Sequence, residues 1–334
     1  MIKKILKELR KEVKDLELKE HIPGIKSDFY VLKSKTIKPA DCQNIKKNIK
    51  FFCGQDISCS DGTEPRSLVI EVPKKEAKAI SWTEYHEKAE ESPLSVCFGA
   101  DPVGKPVVAD ISKMPHLLIA GATGQGKSVA INNILATLIN KNKPEELKLV
   151  LIDPKAVELG IYKNSKHLYC SIKTNKSDIY NTLSFIVKDM ELRYKIFADK
   201  GFKNLSEYNE NENLKIPRIV VIIDEMADLF LEKDKEYNIE SLVIKIAQKA
   251  RAAGIHIIAA TQRPSTDVIS GLIKANFPCR LALKTSSPYD SRTILGATGA
   301  EKLNGAGDSI LFYNTKFIRC YGAYIDSNVI QEVL

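Results

Sequence analysis

The sequence of 334 residues predicts an α/β protein with a mostly parallel sheet and a second, smaller α/β domain. Apolar runs of strand length recur at "HLLIAG", "LKLVLID", "RIVVIID", "HIIAATQ" and "RLALKT", and helical stretches follow them. Short apolar strands that alternate with helices are typical of a parallel sheet covered on both faces. None of the runs reaches the roughly 18 to 20 residues that would cross a bilayer. The length is sufficient for two domains.

The first segment, residues 1–24, is predicted to be a basic amphipathic helix that ends at Pro23 and Gly24. One helical stripe contains the apolar residues Ile2, Ile5, Leu6, Leu9, Val13 and Leu16. The first 50 residues hold 14 Lys and Arg against 7 Asp and Glu, so most of the net charge of +8 lies here. The helix either packs on its own domain or serves as an arm that contacts DNA or a partner.

The second segment, residues 25–92, is predicted to be the small α/β domain. "DFYVLKS" and "SLVIEVP" have strand patterns, and "ADCQNIKKNIKFFC" between them has a helical one. The third segment, residues 93–334, opens with "LSVCFGADPVGKPVVADI", which alternates like a hairpin around "DPVG". This segment contains the five apolar strands and is therefore predicted to be the larger domain.

A glycine loop follows the first of the five strands. "GATGQGKS", from Gly121 to Ser128, matches the pattern G-x-x-x-x-G-K-[ST] between a strand and a helix, which is the context that a phosphate-binding loop requires. Its backbone N–H groups and the helix N-terminus favour an anion. We expect Lys127 to reach the β- and γ-phosphates of ATP and Ser128 to ligate Mg²⁺. The predicted nucleotide contacts are Gly121, Ala122, Thr123, Gly124, Gln125, Gly126, Lys127, Ser128 and Val129.

Two later strands end on polar residues suited to ATP hydrolysis. "IVVIIDE" brings Asp224 to the end of a buried strand as a metal ligand, with Glu225 beside it to polarise the attacking water. "HIIAATQRP" ends at Thr261 and Gln262, where a polar side chain can sense the γ-phosphate. The predicted metal ligands are Ser128 and Asp224, and the predicted catalytic residues within the subunit are Lys127, Asp224, Glu225 and Gln262.

These segments, with "LIDPKAVELGIY", "AQKARAAGIHIIAATQRPSTDVISGLIKANFPCRLAL" and "SPYDSRTILGATGAEKLNGAGDSI", resemble the motor domain of the FtsK/SpoIIIE family of double-stranded DNA translocases. The resemblance extends roughly from Leu94 to Tyr324. It implies a RecA-like P-loop NTPase fold and a homohexameric ring with ATP at subunit interfaces and duplex DNA in the pore. Residues 28–80 resemble, more loosely, the small α domain that precedes this motor.

The resemblance also implies roles for individual cations. Arg251 falls on the family's trans-acting arginine finger, which would complete a neighbouring subunit's site. Arg263, Lys274 and Arg292 match positions that resemble pore-facing DNA contacts. Such cations would bind phosphates rather than bases, so DNA affinity should depend on salt and not on sequence. Pro288 stands where the family would have a basic residue.

The predicted function is ATP-driven translocation of double-stranded DNA by a hexameric ring, with a protein-secretion ATPase of the same motor superfamily as the alternative. We expect the chain to lack the membrane anchor and the C-terminal winged-helix domain of the cell-division members, so that directional loading would need a recruiting protein partner. Such a short motor resembles those of conjugative or phage-like elements. Without an integral membrane segment, a signal peptide or any C-x-x-C pair, the expected location is the cytoplasm.

Overall fold

The computed structural model describes residues 2–53, 57–76, 79–231 and 236–334. The chain divides into two compact units, Met1–Ala79 with Pro102–Lys105 and Ile80–Asp101 with Pro106–Leu334. In these described ranges, no helix combines the length and the apolar character needed to span a membrane. The two units are described separately.

The smaller unit is a four-stranded antiparallel sheet with two helices. The strand order is β1-β2-β4-β3. Its elements are α1 (Ile2–Leu9), β1 (Glu17–Pro23), β2 (Ser27–Lys33), α2 (Pro39–Cys53), β3 (Ser58–Asp61) and β4 (Ser67–Pro73). The strands predicted at "DFYVLKS" and "SLVIEVP" are β2 and β4, and the helix predicted between them is α2.

The single helix predicted over residues 1–24 is wrong beyond Leu9, because residues 17–23 form β1 and pair with β2. Asp15 fixes the turn between α1 and β1, since its carboxylate accepts hydrogen bonds from the hydroxyls of Ser34 and Thr36, each at 2.6 Å. The apolar stripe is nevertheless real. Ile5, Leu6, Leu9, Val13 and Leu16 are all buried in the core of this unit, so these side chains are not available to a partner.

The larger unit is built on a nine-stranded sheet in the order β6-β5-β13-β12-β11-β7-β10-β9-β8. The five apolar runs form the neighbouring parallel strands β11, β7, β10, β9 and β8, which confirms the predicted parallel sheet. Four antiparallel strands extend it on one side. The bounds are β5 (Ser95–Ala100), β6 (Pro106–Asp110), β7 (His116–Ala120), β8 (Leu147–Ile152), β9 (Arg218–Ile223), β10 (Ile255–Thr261), β11 (Cys279–Leu283), β12 (Asp308–Tyr313) and β13 (Lys316–Gly322).

Helices cover both faces of this sheet, which is why its central strands are predominantly apolar. In β7, Leu118 and Ala120 pack into one core with α5 (Lys176–Lys200) and α8 (Ile239–Lys249), whereas Leu117 and Ile119 pack into the other with α4 (Lys127–Lys141). The helices are α3 (Trp82–Tyr85), α4 (Lys127–Lys141), α5 (Lys176–Lys200), α6 (Leu205–Asn211), α7 (Ala227–Phe230), α8 (Ile239–Lys249), α9 (Gly271–Asn276), α10 (Pro288–Leu295) and α11 (Ser327–Val333). The ends of the central strands are thereby held in place by helices on both faces of the sheet.

Candidate active site

The carboxyl ends of three parallel strands meet at one edge of the large sheet. β10 pairs with β7 on one side, with Thr261 opposite Ala120, and with β9 on the other, with Ala259 opposite Ile223. The glycine loop follows β7, the Asp224–Glu225 pair follows β9, and Thr261–Gln262 lies at the end of β10. The fold therefore brings together the residues predicted to act on ATP from within the same subunit.

The glycine loop presents unsatisfied backbone donors at the start of α4. Gly126 precedes the helix with φ +105°, a left-handed conformation that suits glycine. Within the described ranges, no protein acceptor is hydrogen bonded to the N–H groups of Gly124, Gly126, Lys127 or Ser128. Such donors at the positive end of a 15-residue helix fit the phosphate groups of a nucleotide.

Lys127 lies against both carboxylates of the acidic pair. Its Nζ donates to the main-chain oxygen of Asp224 at 2.7 Å and to Asp224 Oδ1 at 3.0 Å, and it is 3.7 Å from Glu225 Oε2. Burial raises the pKa of Asp224, while the charge of Lys127 acts in the opposite direction. The Asp224 carboxylate and the Ser128 hydroxyl supply oxygen ligands of the kind that Mg²⁺ prefers.

The Glu225 carboxylate is held by three donors. Its Oε1 accepts hydrogen bonds from the hydroxyl of Thr261 and from the N–H of Ala227 at 3.2 Å, and its Oε2 accepts one from the N–H of Gln262 at 2.8 Å. Thr261 Oγ1 in turn accepts from the N–H of Arg263 at 3.0 Å. Gln262 thus contacts Glu225 through its main chain. This role of Thr261 was not predicted from the sequence, although two polar residues at adjacent strand ends were a signal for it.

Two further segments that the sequence analysis did not assign to the site support the glycine loop. Ala122 N–H donates to the main-chain oxygen of Lys284 at 2.9 Å, and Gly307 N–H donates to that of Gln125 at 3.1 Å. Lys284 follows β11, which pairs with β7 on the side opposite β10, and Gly307 precedes β12. The glycine-rich "NGAGD" was the available signal for a close backbone approach.

Arg251 lies far from the loop of its own chain. It is exposed in the turn between α8 and β10, where the N–H of Gly254 donates to its main-chain oxygen at 3.0 Å. This turn is at the amino edge of the sheet, whereas the glycine loop is at the carboxyl edge. The seven residues of β10 separate the two edges by about 20 Å, since a strand rises about 3.3 Å per residue. Arg251 cannot reach nucleotide bound to its own subunit.

The cations predicted to contact DNA lie on segments that follow β10 and β11, the two strands flanking β7. Arg263 is exposed directly after β10, Lys274 is half-buried on α9 and Arg292 is exposed on α10. Pro288 has a structural explanation, because it occupies the first turn of α10, where Ser287 caps the helix through the N–H of Asp290 at 3.1 Å.

Comparison with known proteins gives consistent matches. The model of the FtsK/SpoIIIE family matches residues 78–266. The DNA translocase FtsK of Lactiplantibacillus plantarum is 46% identical over 285 residues, which cover 80% of this chain and 36% of that protein. The chain spans less than half of the length of the curated relatives that it matches.

Two solved structures share the fold. The pCW3 conjugation coupling protein TcpA, in its monomer form with ATPγS, has a TM-score of 0.72 and 26% identity, and the match covers 99% of each chain. The cytoplasmic domain of the Type VII secretion ATPase EccC from Thermomonospora curvata has a TM-score of 0.65 and 24% identity, over 77% of this chain and 34% of that one. The second likeness concerns the fold alone.

Proposed function

The chain belongs to the FtsK/SpoIIIE family, and on that basis we propose that it is an ATP-driven translocase of double-stranded DNA. The observation that carries the proposal is the arrangement at the carboxyl edge of the sheet. There the glycine loop presents free N–H donors, and Lys127 is 3.0 Å from Asp224 and 3.7 Å from Glu225. Curated relatives with this family's sequence are named DNA translocases.

The residues at the carboxyl edge of the large sheet have separate roles in ATP hydrolysis. Bound ATP with Mg²⁺ supplies the phosphoanhydride bond and the energy of its cleavage. The loop N–H groups and Lys127 would bind the phosphates, and Ser128 and Asp224 would hold the metal. Glu225 accepts the proton of the attacking water, and Thr261 with the N–H of Gln262 keeps its carboxylate in place.

Assembly into a homohexamer would complete each site. Because Arg251 lies at the amino edge of the sheet, its guanidinium serves a neighbouring subunit's nucleotide in the proposed ring. An arginine supplied in this way stabilises the charge that develops on the transferred phosphoryl group, and in other systems it accelerates hydrolysis by roughly 10³ to 10⁵.

Arg263, Lys274 and Arg292 are proposed to contact the phosphates of duplex DNA in the pore. Their segments follow β10 and β11, the strands that pair directly with β7. A displacement of the glycine loop, which follows β7, can therefore reach these segments through neighbouring strands. The chain is similar over its full length to a conjugation coupling protein, which supports a role in a conjugative or phage-like element.

The decisive experiment measures the ATPase rate with and without linear duplex DNA, together with ATP-dependent displacement of a labelled third strand from a triplex. Duplex should stimulate turnover, and the third strand should be released. Glu225→Gln is the matched control, because it should bind ATP yet hydrolyse it slowly and release no third strand. ATP hydrolysis that duplex does not stimulate, with no displacement, would contradict a translocase.

A further inference from the structure

A cavity of about 550 Å³ opens at the amino edge of the large sheet, opposite the glycine loop. Three cations line it: Arg218 at the start of β9, and Lys249 and Arg251 at the end of α8 and in the turn that follows. The hydroxyl of Ser206 is a further polar group. Among the described residues that line the cavity there is no carboxylate, so its charge is of one sign.

Acidic residues lie near two of the three cations without forming an ion pair with them, Asp110 and Glu146 near Arg218 and Glu191 near Lys249. Across the ranges that the structure describes, none of them has a carboxylate oxygen within 4.0 Å, and Arg218 donates to Ser206 Oγ at 3.2 Å. Burial lowers the pKa of Arg218, while the charges of Asp110 and Glu146 act in the opposite direction. An arginine nevertheless remains charged at any ordinary pH. A half-buried guanidinium with no described carboxylate at ion-pair distance retains N–H donors for an anionic ligand.

A buried arginine connects the residue before β9 to the turn between α8 and β10. Arg193 on α5 is 3% exposed, and its Nη1 donates to the main-chain oxygens of Pro217 at 2.8 Å and Ala253 at 2.9 Å. Asp189 balances its charge at 3.1 Å. One guanidinium thus ties the residue before Arg218 to the turn that contains Arg251.

Gly254 allows that turn to pack closely against α6. Its φ is +72°, and a Cβ there would lie 2.1 Å from Leu205 Cδ2. The N–H of Leu205 also donates to the main-chain oxygen of Ala252 at 2.8 Å. The backbone around the cavity is therefore fixed before any ligand arrives, which lowers the entropic cost of binding one.

We propose that this cavity receives the phosphate groups of a nucleotide bound to a second copy of the chain, with Arg218 and Lys249 acting beside Arg251. The inference rests on the proposed function and adds two cations to it. Guanidinium groups bind phosphate oxygens through paired N–H donors. A nucleotide on the same chain lies at the opposite edge of the sheet. The cations line one concave site and do not form a linear stripe. This arrangement favours a compact phosphate group over the extended backbone of DNA.

The test compares Arg218→Ala and Lys249→Ala with Lys195→Ala, which removes an exposed cation of α5 outside the cavity. Sedimentation velocity measures self-association with ATPγS and with ADP. Each cavity variant should weaken ATPγS-dependent association by roughly 10- to 100-fold, because it loses one charge-assisted hydrogen bond. The control variant should associate as strongly as the unaltered protein. Binding of a fluorescent ATPγS analogue at low protein concentration should be unchanged. Lys249 is exposed, so its variant serves if Arg218→Ala fails to fold.

Association of both cavity variants equal to that of Lys195→Ala would overturn the inference. A loss of duplex affinity without a loss of ATPγS-dependent association would also overturn it, and would assign the cavity to the DNA backbone. If the unaltered protein binds ATPγS and is stimulated by duplex but does not self-associate with ATPγS, this inference fails and the translocase proposal loses only its ring. If it neither binds ATPγS nor responds to duplex, the proposed function itself fails.

Discussion

Replacing Lys127 by alanine is expected to destabilise the larger unit in addition to abolishing hydrolysis. Lys127 is 5% exposed, and it is the cation that lies between the buried carboxylates of Asp224 and Glu225. Breaking a buried ion pair by removing one partner typically costs about 3 to 5 kcal/mol, because the other charge is left without compensation. We expect a loss of this size in the free energy of unfolding.

The loss should depend on pH in a defined direction. Burial raises the pKa of Asp224 above its ordinary value of 3.8, and Lys127 opposes that shift. The substitution removes the opposing charge and so raises the pKa further. A carboxyl with a raised folded-state pKa stabilises the fold when it is protonated, and that stability is lost as the pH rises through the folded-state value. The penalty should therefore be largest at neutral pH and should shrink on acidification.

Urea unfolding followed by tryptophan fluorescence gives the measurement. Trp82 is the only tryptophan in the sequence and is buried in the larger unit, where its Nε1 donates to Thr137 Oγ1 at 2.9 Å. With a slope of about 3 kcal/mol per molar urea, the midpoint should fall by roughly 1 to 1.7 M. Lys155→Ala is the control, since its exposed pair with Asp228 at 3.3 Å should contribute less than about 1 kcal/mol.

A second substitution, Asp224→Asn, tests whether the Lys127–Asp224 pair accounts for the lost stability. In the Lys127→Ala background, Asp224→Asn should recover part of the lost stability, because it removes the uncompensated charge. In the unaltered background the same change should be destabilising, because it leaves Lys127 with only the more distant carboxylate of Glu225, at 3.7 Å. If Asp224→Asn has the same effect in both backgrounds, or if Lys127→Ala matches the control, the pair does not carry the energy assigned to it.

Three further outcomes are expected. Arg251→Ala should lack ATPase activity alone and regain part of it when mixed with Lys127→Ala subunits; no recovery at any ratio, with assembly verified, would place its action within one subunit. Arg263→Ala should lower duplex affinity for every sequence and make the slope of log affinity against log salt shallower by about 0.9 per lost phosphate contact, and an unchanged slope would exclude such a contact. Hydrogen bonds from Ser34 and Thr36 lower the pKa of Asp15 to about 2; stability from this group is therefore present above its unfolded value of 3.8 and is lost as the pH falls towards 2. Hydrogen exchange of the smaller unit should accordingly show Asp15→Asn to be destabilising at pH 7 and progressively less so below pH 4, with Glu17→Gln as the neutral control.

The sequence was sufficient for the glycine loop and the acidic pair because both are local patterns. A buried strand, a fixed spacing of glycines and a helix suffice to place Gly121–Ser128, and β9 alone delivers Asp224 to its end. The same reasoning identified the five parallel strands, whose apolar runs are contiguous in sequence.

Features that depend on distant pairing were not predictable in this way. The predicted helical stripe ends at Leu16 and the predicted helix extends to the break at Pro23 and Gly24, yet residues 17–23 form a strand because β2 offers them a partner. The hydrogen bond from Thr261 to Glu225 and those from Arg193 to Pro217 and Ala253 join segments far apart in sequence. Local periodicity contains no information about such contacts, and composition does not reveal them either.

The central position of β7 has a consequence for biosynthesis. Its neighbours in the sheet are β10 and β11, and the first contact, between His116 and Ile257, spans roughly 140 residues of chain, a strongly non-local pairing. At a translation rate of about 5 to 20 residues per second, the strand that ends in the glycine loop emerges from the ribosome roughly 7 to 30 s before either partner exists. Throughout that interval its four apolar residues, Leu117 to Ala120, are unprotected, and ATP cannot assist their folding because the loop has no sheet to hold it. Release of a nascent chain before Ile255, where β10 begins, would thus yield a product with an exposed, aggregation-prone strand rather than a partly active enzyme.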